Sequence, residues 1–229
     1  MIDDPIRVCL DIDDAAPPPA DFKTRMALVK DARWGEGFNL RIGFLGGDAT
    51  LQEKVKQYAA EWRQHANILF TWVKQGAADV RIAFERTGAS WSQVGRDALK
   101  KADQNSSTMN FGWFDENTSD EEIRRVVLHE FGHALGCIHE HQHPKNGIQW
   151  DTEKVYAHYK QQYGWDRARV DRNVLNAYSE DLLKATGVLD PQSIMLYPVD
   201  ARLTKNGFSS GWNNDLSELD KQFIKSMYP

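Results

Sequence analysis

The stretch His129-Glu-Phe-Gly-His-Ala-Leu-Gly-Cys-Ile-His-Glu-His141 carries four histidines and two glutamates within thirteen residues. Upstream of it, Ser119-Asp-Glu-Glu122 matches a capping box and precedes a run of apolar residues, so a helix is predicted to begin there and to enter the stretch. His129 and His133 then lie one turn apart on the same face of that helix. Two imidazoles so placed can bind one zinc ion, which adjacent residues could not do.

The residues between and after these histidines fit a catalytic site rather than a structural one. Glu130 can hold a zinc-bound water and accept its proton, because zinc lowers the pKa of that water toward about 7. Gly136 can end the helix in the left-handed conformation and turn the chain, so that His139 returns as a third ligand. Three protein ligands leave a fourth position open. We therefore predict one Zn²⁺ per chain; the alternative, a surface helix with solvated histidines, leaves the register of Gly136 and His139 to chance.

The same stretch resembles the signature of the metzincin zinc endopeptidases, and Glu140 directly after the third histidine resembles their astacin branch. A second segment, Ser193-Ile-Met-Leu-Tyr197, resembles the methionine turn of that branch. Trp91-Ser-Gln-Val-Gly95 and Leu216-Ser-Glu-Leu-Asp220 also resemble astacin segments, so the similarity covers about residues 34–229. The resemblance implies that the protein hydrolyses internal peptide bonds of a protein or peptide substrate.

The resemblance also implies the fold, an α+β catalytic domain with two lobes around a cleft. The upper lobe, residues 34–139, would hold a mixed twisted sheet and the zinc helix, and the lower lobe, residues 140–229, would be mostly irregular and helical. In the upper lobe, period-two alternation predicts strands, and an apolar repeat of three and four residues predicts a helix. The strands are predicted at residues 38–44, 68–73, 79–84 and 107–113, and the helix at about residues 51–62.

Carried over residue by residue, the resemblance implies roles within the site. Glu130 would be the general base, and Tyr197 would leave the metal to donate a hydrogen bond to the oxyanion of the tetrahedral intermediate. Met195 would pack beneath the ligands, and Glu140 would be tied to the buried amino terminus of a processed chain. The zinc ligands would be His129, His133 and His139.

A substrate strand is expected to lie antiparallel to an edge segment of the sheet. The unpaired backbone groups of an edge strand give affinity for a peptide without demanding one sequence. The residues predicted to form this edge are Thr108, Met109, Asn110 and Phe111.

Two features depart from the astacin pattern. Asn67 and Ser90 occupy positions where the family usually carries half-cystines, so the two disulfides of the family are predicted to be absent. After Glu140 the chain continues with His141 and His143, where the family often has an Arg-containing acidic run. Since three histidines already supply the protein ligands of an open site, these two histidines are expected to be solvated or to support the ligands.

Residues 1–33 precede the catalytic segment and are predicted to be an N-terminal extension, with Pro17-Pro-Pro19 as a stiff connector. In Ile6-Arg-Val-Cys-Leu-Asp-Ile12 the apolar residues alternate, which leaves Cys9 on the opposite face. A thiolate is a soft zinc ligand, so one hypothesis is an inhibitory pro-segment in which Cys9 occupies the fourth zinc position. The alternatives are an unreactive strand cysteine, a Cys9–Cys137 bridge, or an inhibitory aspartate, which relatives use more often, among Asp11, Asp13 and Asp14.

Composition restricts the class of partner and the compartment. Over 229 residues the net charge is −5 and the pI about 5.8, and no long basic run is present, so nucleic acid and membrane surfaces are not expected partners. No apolar run reaches the roughly 20 residues of a membrane span, and the first residues lack the features of a signal peptide. Localisation therefore stays open, although the resemblance favours a secreted protein, and a monomer is expected.

The sequence leaves two alternatives to an active endopeptidase. One is a catalytically silent, zinc-containing binding module that keeps the metal for rigidity. Glu130 argues against it, because a protein without catalysis has no need of the base. The other is a zinc hydrolase that acts on a non-protein substrate.

Overall fold

The computed structural model describes residues 32–74, 76–143, 147–177 and 189–229, together with the backbone of residues 8–11. It has the predicted α+β architecture, with one sheet packed against the zinc-site helix. The strands are β1 (Val8–Asp11), β2 (Asn39–Phe44), β3 (Leu69–Val73), β4 (Val80–Ala83), β5 (Ala89–Ser92) and β6 (Met109–Asn110). The helices are α1 (Ala49–Ala59), α2 (Asp120–Ala134), α3 (Thr152–Tyr163), α4 (Arg167–Val170) and α5 (Glu218–Met227), with a π-helical turn at Asp171–Leu175 after α4.

The sheet is mixed, with six strands in the order β1-β5-β6-β4-β2-β3. Neighbouring strands from β6 to β3 are parallel, β5 is antiparallel to β6, and β1 is parallel to β5. In the outermost pair, Cys9 lies opposite Ser90 and Leu10 lies opposite Trp91. The N-terminal extension therefore supplies the strand that covers the outer edge of β5.

The segment predicted to be the substrate edge lies inside the sheet, and that prediction was wrong. Met109 and Asn110 form β6, which has β4 on one side and β5 on the other. All four predicted edge residues are buried. The Asn110 side chain also donates to the backbone oxygens of Glu85 and Ala89, which ties β6 to the connection between its two neighbours. Alternation along one segment predicts a strand, but it does not specify the strands that will flank it.

Helix α2 lies at the centre of the molecule. Ser119 caps its first turn by accepting a hydrogen bond from the Glu122 amide, as the capping-box pattern predicted, and acidic residues follow in that turn. From Val126 to Ala134 every residue of the helix is buried, which is typical of a helix enclosed by the core on all sides. The Trp62 indole donates to the Leu128 carbonyl and joins α2 to the segment after α1.

The C-terminal half of the chain packs in two directions. Val155, Trp165 and Leu203 form the centre of a second apolar cluster, against which Trp91 of β5 also packs. Helix α5 instead returns to the main core, where Ile224, Met227 and Tyr228 pack with residues of the sheet and α2; Ile224 is fully buried. The two halves of the chain thus share one main core, which surrounds α2.

Hydrogen bonds occur at the two positions where astacins usually carry half-cystines. The Asn67 amide donates to the Tyr228 carbonyl at 2.8 Å, and its side chain donates to the Pro229 carbonyl at 2.8 Å. Ser90 Oγ accepts from the Gly112 amide at 3.1 Å. Cys137 is a free, buried thiol, so the Cys9–Cys137 bridge considered above is not formed.

Candidate metal centre

The structure brings together the three histidines that the sequence predicts to bind zinc. One ring nitrogen from each of His129, His133 and His139 lies within 4.8 Å of the others, and all three side chains are buried. The Nε2 atoms of His129 and His133 are 3.2 Å apart. No other group of this kind occurs in the described ranges. Three imidazole nitrogens are a donor set suited to catalytic Zn²⁺, so these residues fit the metal.

Two backbone carbonyls orient the first two ligands. Nδ1 of His129 lies 2.8 Å from the Ile194 carbonyl, and Nδ1 of His133 lies 2.9 Å from the Cys137 carbonyl. Because a carbonyl oxygen can only accept, Nδ1 must carry the proton in both rings. In the neutral ring each Nε2 is then the unprotonated nitrogen, which is the usual arrangement in zinc-binding histidines.

The surroundings of His129 favour its neutral form. Burial lowers the pKa of His129 well below its ordinary value, and the neighbouring His133 and His139 lower it further. Neutral imidazole is the form that binds zinc. Glu130, which follows His129 on α2, is also fully buried.

The helix ends as predicted. Helix α2 stops at Ala134, and Gly136 has a φ of 97°, in the left-handed region that suits glycine. The Gly136 amide donates to the His133 carbonyl, and the Cys137 amide donates to the Gly132 carbonyl. This pair of bonds is a Schellman motif, and it turns the chain so that His139 comes back beside His133.

Aromatic rings enclose the third ligand. The centre of the Tyr197 ring lies 4.2 Å from that of His139 and 5.8 Å from that of His129. His141 stacks on both His139, at 5.2 Å, and Tyr197, at 5.0 Å, and its Nε2 donates to the Asn173 carbonyl. His141 and His143 are both buried, which excludes the solvated alternative for both, and the contact of His141 with the third ligand fits the other alternative, a residue that supports the ligands.

Gly132 is a site residue that sequence reasoning missed. A Cβ at this position would lie 2.3 Å from the sulfur of Met195 and 3.3 Å from the Trp62 ring. The absence of a side chain therefore lets the methionine turn approach α2 between the two ligand-bearing turns. Its signal in the sequence is a glycine within a predicted helix, where glycine is otherwise unfavourable.

Replacing Gly132 with alanine is expected to lower the free energy of unfolding by about 1–3 kcal/mol, because Met195 must leave its packed position. Urea denaturation of the zinc-loaded protein measures this. Gly211 has no atom within 4 Å of an added Cβ, so Gly211→Ala serves as the matched control with little effect. The double variant Gly132→Ala/Met195→Ala should cost less than the sum of its two single variants. An additive pair would contradict the contact.

Asp220 is a second residue whose role was missed, although its segment had been noted. Its carboxylate accepts from Ser193 Oγ at 2.7 Å and from the Ile194 amide at 2.8 Å. The Ile194 carbonyl is the group that accepts the hydrogen bond from His129 Nδ1. Asp220 therefore fixes the turn that orients the first ligand. Only the fold shows this contact, because 26 residues separate Asp220 from Ile194.

Glu140 faces a cavity with other acidic side chains. One of its oxygens accepts from the Asp190 amide at 2.8 Å, and Asp190 and Asp220 line the same cavity. Burial raises the pKa of Glu140 to about 7, and the charges of Asp220 and Asp190 add to the shift. The cavity is thus suited to a positively charged group.

The candidate inhibitory ligands lie largely beyond what the structure describes. Only the backbone of Cys9 and Asp11 is described, and Asp13 and Asp14 lie outside the described residues.

Within the described ranges, every helix is too short or too polar to cross a lipid bilayer.

Comparison with known proteins finds a matching family model and similar solved structures. The family model for Astacin, a family of peptidases, matches residues 31–229. Two solved structures of myroilysin are similar: one is 46% identical with a TM-score of 0.85 and covers 88% of this chain and 98% of that chain. The other is 41% identical with a TM-score of 0.70 and covers 99% of this chain and 92% of that chain. High choriolytic enzyme 1, a hatching enzyme zinc-protease from the medaka fish Oryzias latipes, shares the fold at 15% identity, with a TM-score of 0.58 and coverage of 90% and 98%. No curated protein sequence matches the chain.

Proposed function

The chain belongs to the astacin family of zinc metalloendopeptidases, and from this premise we propose that Glu130 and Tyr197 carry the chemistry of peptide-bond hydrolysis. The observation that carries the proposal is the set of three buried histidines, two of which have Nδ1 bound to a carbonyl. When bound there, zinc supplies a Lewis acid that activates water and polarises the substrate carbonyl.

Glu130 acts as the general base in this proposal. It follows a ligand on α2, so the helix holds its carboxylate beside the ligand cluster, and its full burial keeps bulk water from competing for the proton. It accepts the proton of the attacking water and passes it to the leaving amine. Tyr197, whose ring packs at a tilt against that of the third ligand, donates a hydrogen bond to the oxyanion as negative charge develops.

The substrate strand is proposed to add to β5 instead of the interior strand β6. β5 has β6 on one side and only β1 on the other. Trp91 of β5 also packs against the cluster that holds Trp150 and Leu203, and these two residues line a small cavity next to Tyr197. A peptide on this edge would therefore run past the ligands.

We further propose that residues 1–33 form an inhibitory pro-segment before a catalytic domain at residues 34–229, whose lobes divide near residues 139 and 140. Support comes from β1, which occupies the β5 edge that a substrate needs. β1 runs parallel to β5, whereas a substrate is proposed to run antiparallel. Cys9 is the proposed zinc-blocking ligand, and Asp11, Asp13 and Asp14 are the alternatives.

Removal of residues 1–30 is expected to raise proteolytic activity about tenfold or more. A tethered segment acts at an effective concentration in the millimolar range, so even a weakly bound strand keeps most of the protein inactive. The cut precedes Ala32, which is buried. Initial rates on a quenched peptide measure the effect. Under the cysteine hypothesis Cys9→Ala alone also raises the rate, whereas Asp11→Ala, Asp13→Ala and Asp14→Ala test the aspartate version. Equal rates for the shortened and parent chains would contradict the pro-segment.

Glu140 is proposed to pair with the amino terminus that processing creates. The cavity it shares with Asp190 and Asp220 holds several acidic groups, and a positively charged amine would offset the cost of burying them. Because Glu140 directly follows His139, such a pair would form only after the extension is removed and would then help to hold the turn that carries this ligand.

Incubation with casein tests the proposed function against its alternatives. An active endopeptidase produces internal fragments, a zinc chelator stops the cleavage, and added Zn²⁺ restores it. The silent binding module would retain zinc and leave casein intact in both the parent and the shortened chain. A hydrolase of non-protein substrates would also leave casein intact, but Glu130→Ala would abolish its activity on small esters or amides. A secreted monomer is proposed on the family resemblance, and light scattering tests its mass.

A further inference from the structure

The last carbonyl groups of α2 accept hydrogen bonds from donors outside the helix. The last four carbonyl groups of a helix have no intrahelical partner. In α2 they belong to Gly132, His133, Ala134 and Leu135. The Schellman motif satisfies only the first two, through the amides of Cys137 and Gly136. The other two carbonyls lie in buried residues and require donors from elsewhere in the chain.

Those donors come from the two ends of the catalytic segment. The Trp34 indole Nε1 donates to the Ala134 carbonyl at 2.8 Å, and the Tyr228 hydroxyl donates to the Leu135 carbonyl at 2.7 Å. The Tyr228 hydroxyl also accepts from the Trp34 amide at 3.3 Å, which links the two donors. Both side chains are almost completely buried, at 2% and 1% exposure, so water does not replace either bond.

The turn that these bonds hold in place determines the positions of two of the three metal ligands. Its Cys137 carbonyl accepts from His133 Nδ1 and so sets the tautomer and the ring orientation of the second ligand. The same turn leads directly to His139, the third ligand. A shift of the Ala134 and Leu135 carbonyls would therefore move one ligand and loosen the partner of the other.

We propose that Trp34 and Tyr228 are positioning residues of the zinc site. Together they complete the cap of α2 and hold the turn that joins the second ligand to the third. The inference rests on the zinc site of the proposed function, but its readout is metal affinity, so it can fail while proteolysis is confirmed and can hold if proteolysis is absent.

Tyr228→Phe tests the proposal because it removes the hydroxyl and keeps the ring. Competition with a chromophoric chelator measures the Kd for zinc in the full-length protein, and we expect it to rise about tenfold, as for other groups that orient zinc-binding histidines. The visible absorption bands of the Co²⁺-loaded protein should change as well, since they report ligand geometry. A residue that only stabilises the fold would alter neither quantity.

Ser119→Ala is the matched control, because it removes the cap at the other end of the same helix, nearly three turns before the first ligand, His129. It should lower the Tm but leave the zinc Kd and the Co²⁺ spectrum unchanged. If Tyr228→Phe does not fold, Trp34→Phe decides the question by removing the indole donor together with part of the ring. A variant of either residue that loses stability and keeps the parent zinc Kd and Co²⁺ spectrum would overturn the proposal.

Discussion

Replacement of Glu130 with alanine is expected to lower kcat for peptide hydrolysis by about a hundred- to ten-thousand-fold, the usual contribution of a general base. Zinc content should stay at the parent value, because the three histidines and the carbonyls that orient two of them are unchanged. Initial rates on a quenched peptide and metal analysis of the same sample measure both quantities.

Two variants control for effects on the helix and on the buried site. Glu121→Ala removes a carboxylate from the exposed first turn of α2 and should leave kcat near the parent value. Glu130→Gln keeps the volume and the hydrogen-bonding capacity of the side chain but cannot accept a proton, so it should be nearly as inactive as Glu130→Ala. Near-normal activity in either Glu130 variant would remove this residue from the mechanism.

Tyr197→Phe is expected to lower kcat by about a hundredfold, the typical effect of losing one donor to an oxyanion. The ring should remain packed against His139, because the substitution removes only the hydroxyl. KM should change much less than kcat, since the hydroxyl contributes mainly in the transition state. Steady-state kinetics on one peptide give both constants.

Tyr163→Phe is the matched control, as Tyr163 belongs to the second apolar cluster and not to the ligand cluster. It should leave both constants near the parent values. An effect of Tyr197→Phe that is confined to KM would show that the hydroxyl binds substrate and does not stabilise the transition state.

The local features of the site could be predicted because each depends on a few consecutive residues. The four-residue spacing of His129 and His133, the cap at Ser119 and the left-handed Gly136 all follow from helix geometry, and the structure contains each of them. Strands β2, β3 and β4 also lie within the predicted segments, since alternation is a local pattern.

The features that were missed depend on contacts between distant parts of the chain. Strand β5 has Trp91 as its one large apolar residue, so its sequence shows no alternation that would predict a strand, and its place beyond β6 overturned the predicted substrate edge. The contact of Gly132 with Met195 and the bonds from Asp220 to the methionine turn join segments far apart in sequence. The burial of His141 likewise involves a distant segment, because its Nε2 donates to the Asn173 carbonyl in the π-helical turn.

Titration of the metal-free protein, shortened by residues 1–30, with Zn²⁺ tests the central claim most directly. Proteolytic rate is measured after each addition, alongside the zinc bound. The three-histidine site predicts that activity rises linearly and reaches its plateau at one zinc per chain, and that a His133→Ala variant gains none over the same range. Full activity without metal, a plateau at two zinc ions per chain, or activity in the His133→Ala variant equal to the parent would contradict a single catalytic zinc at these histidines.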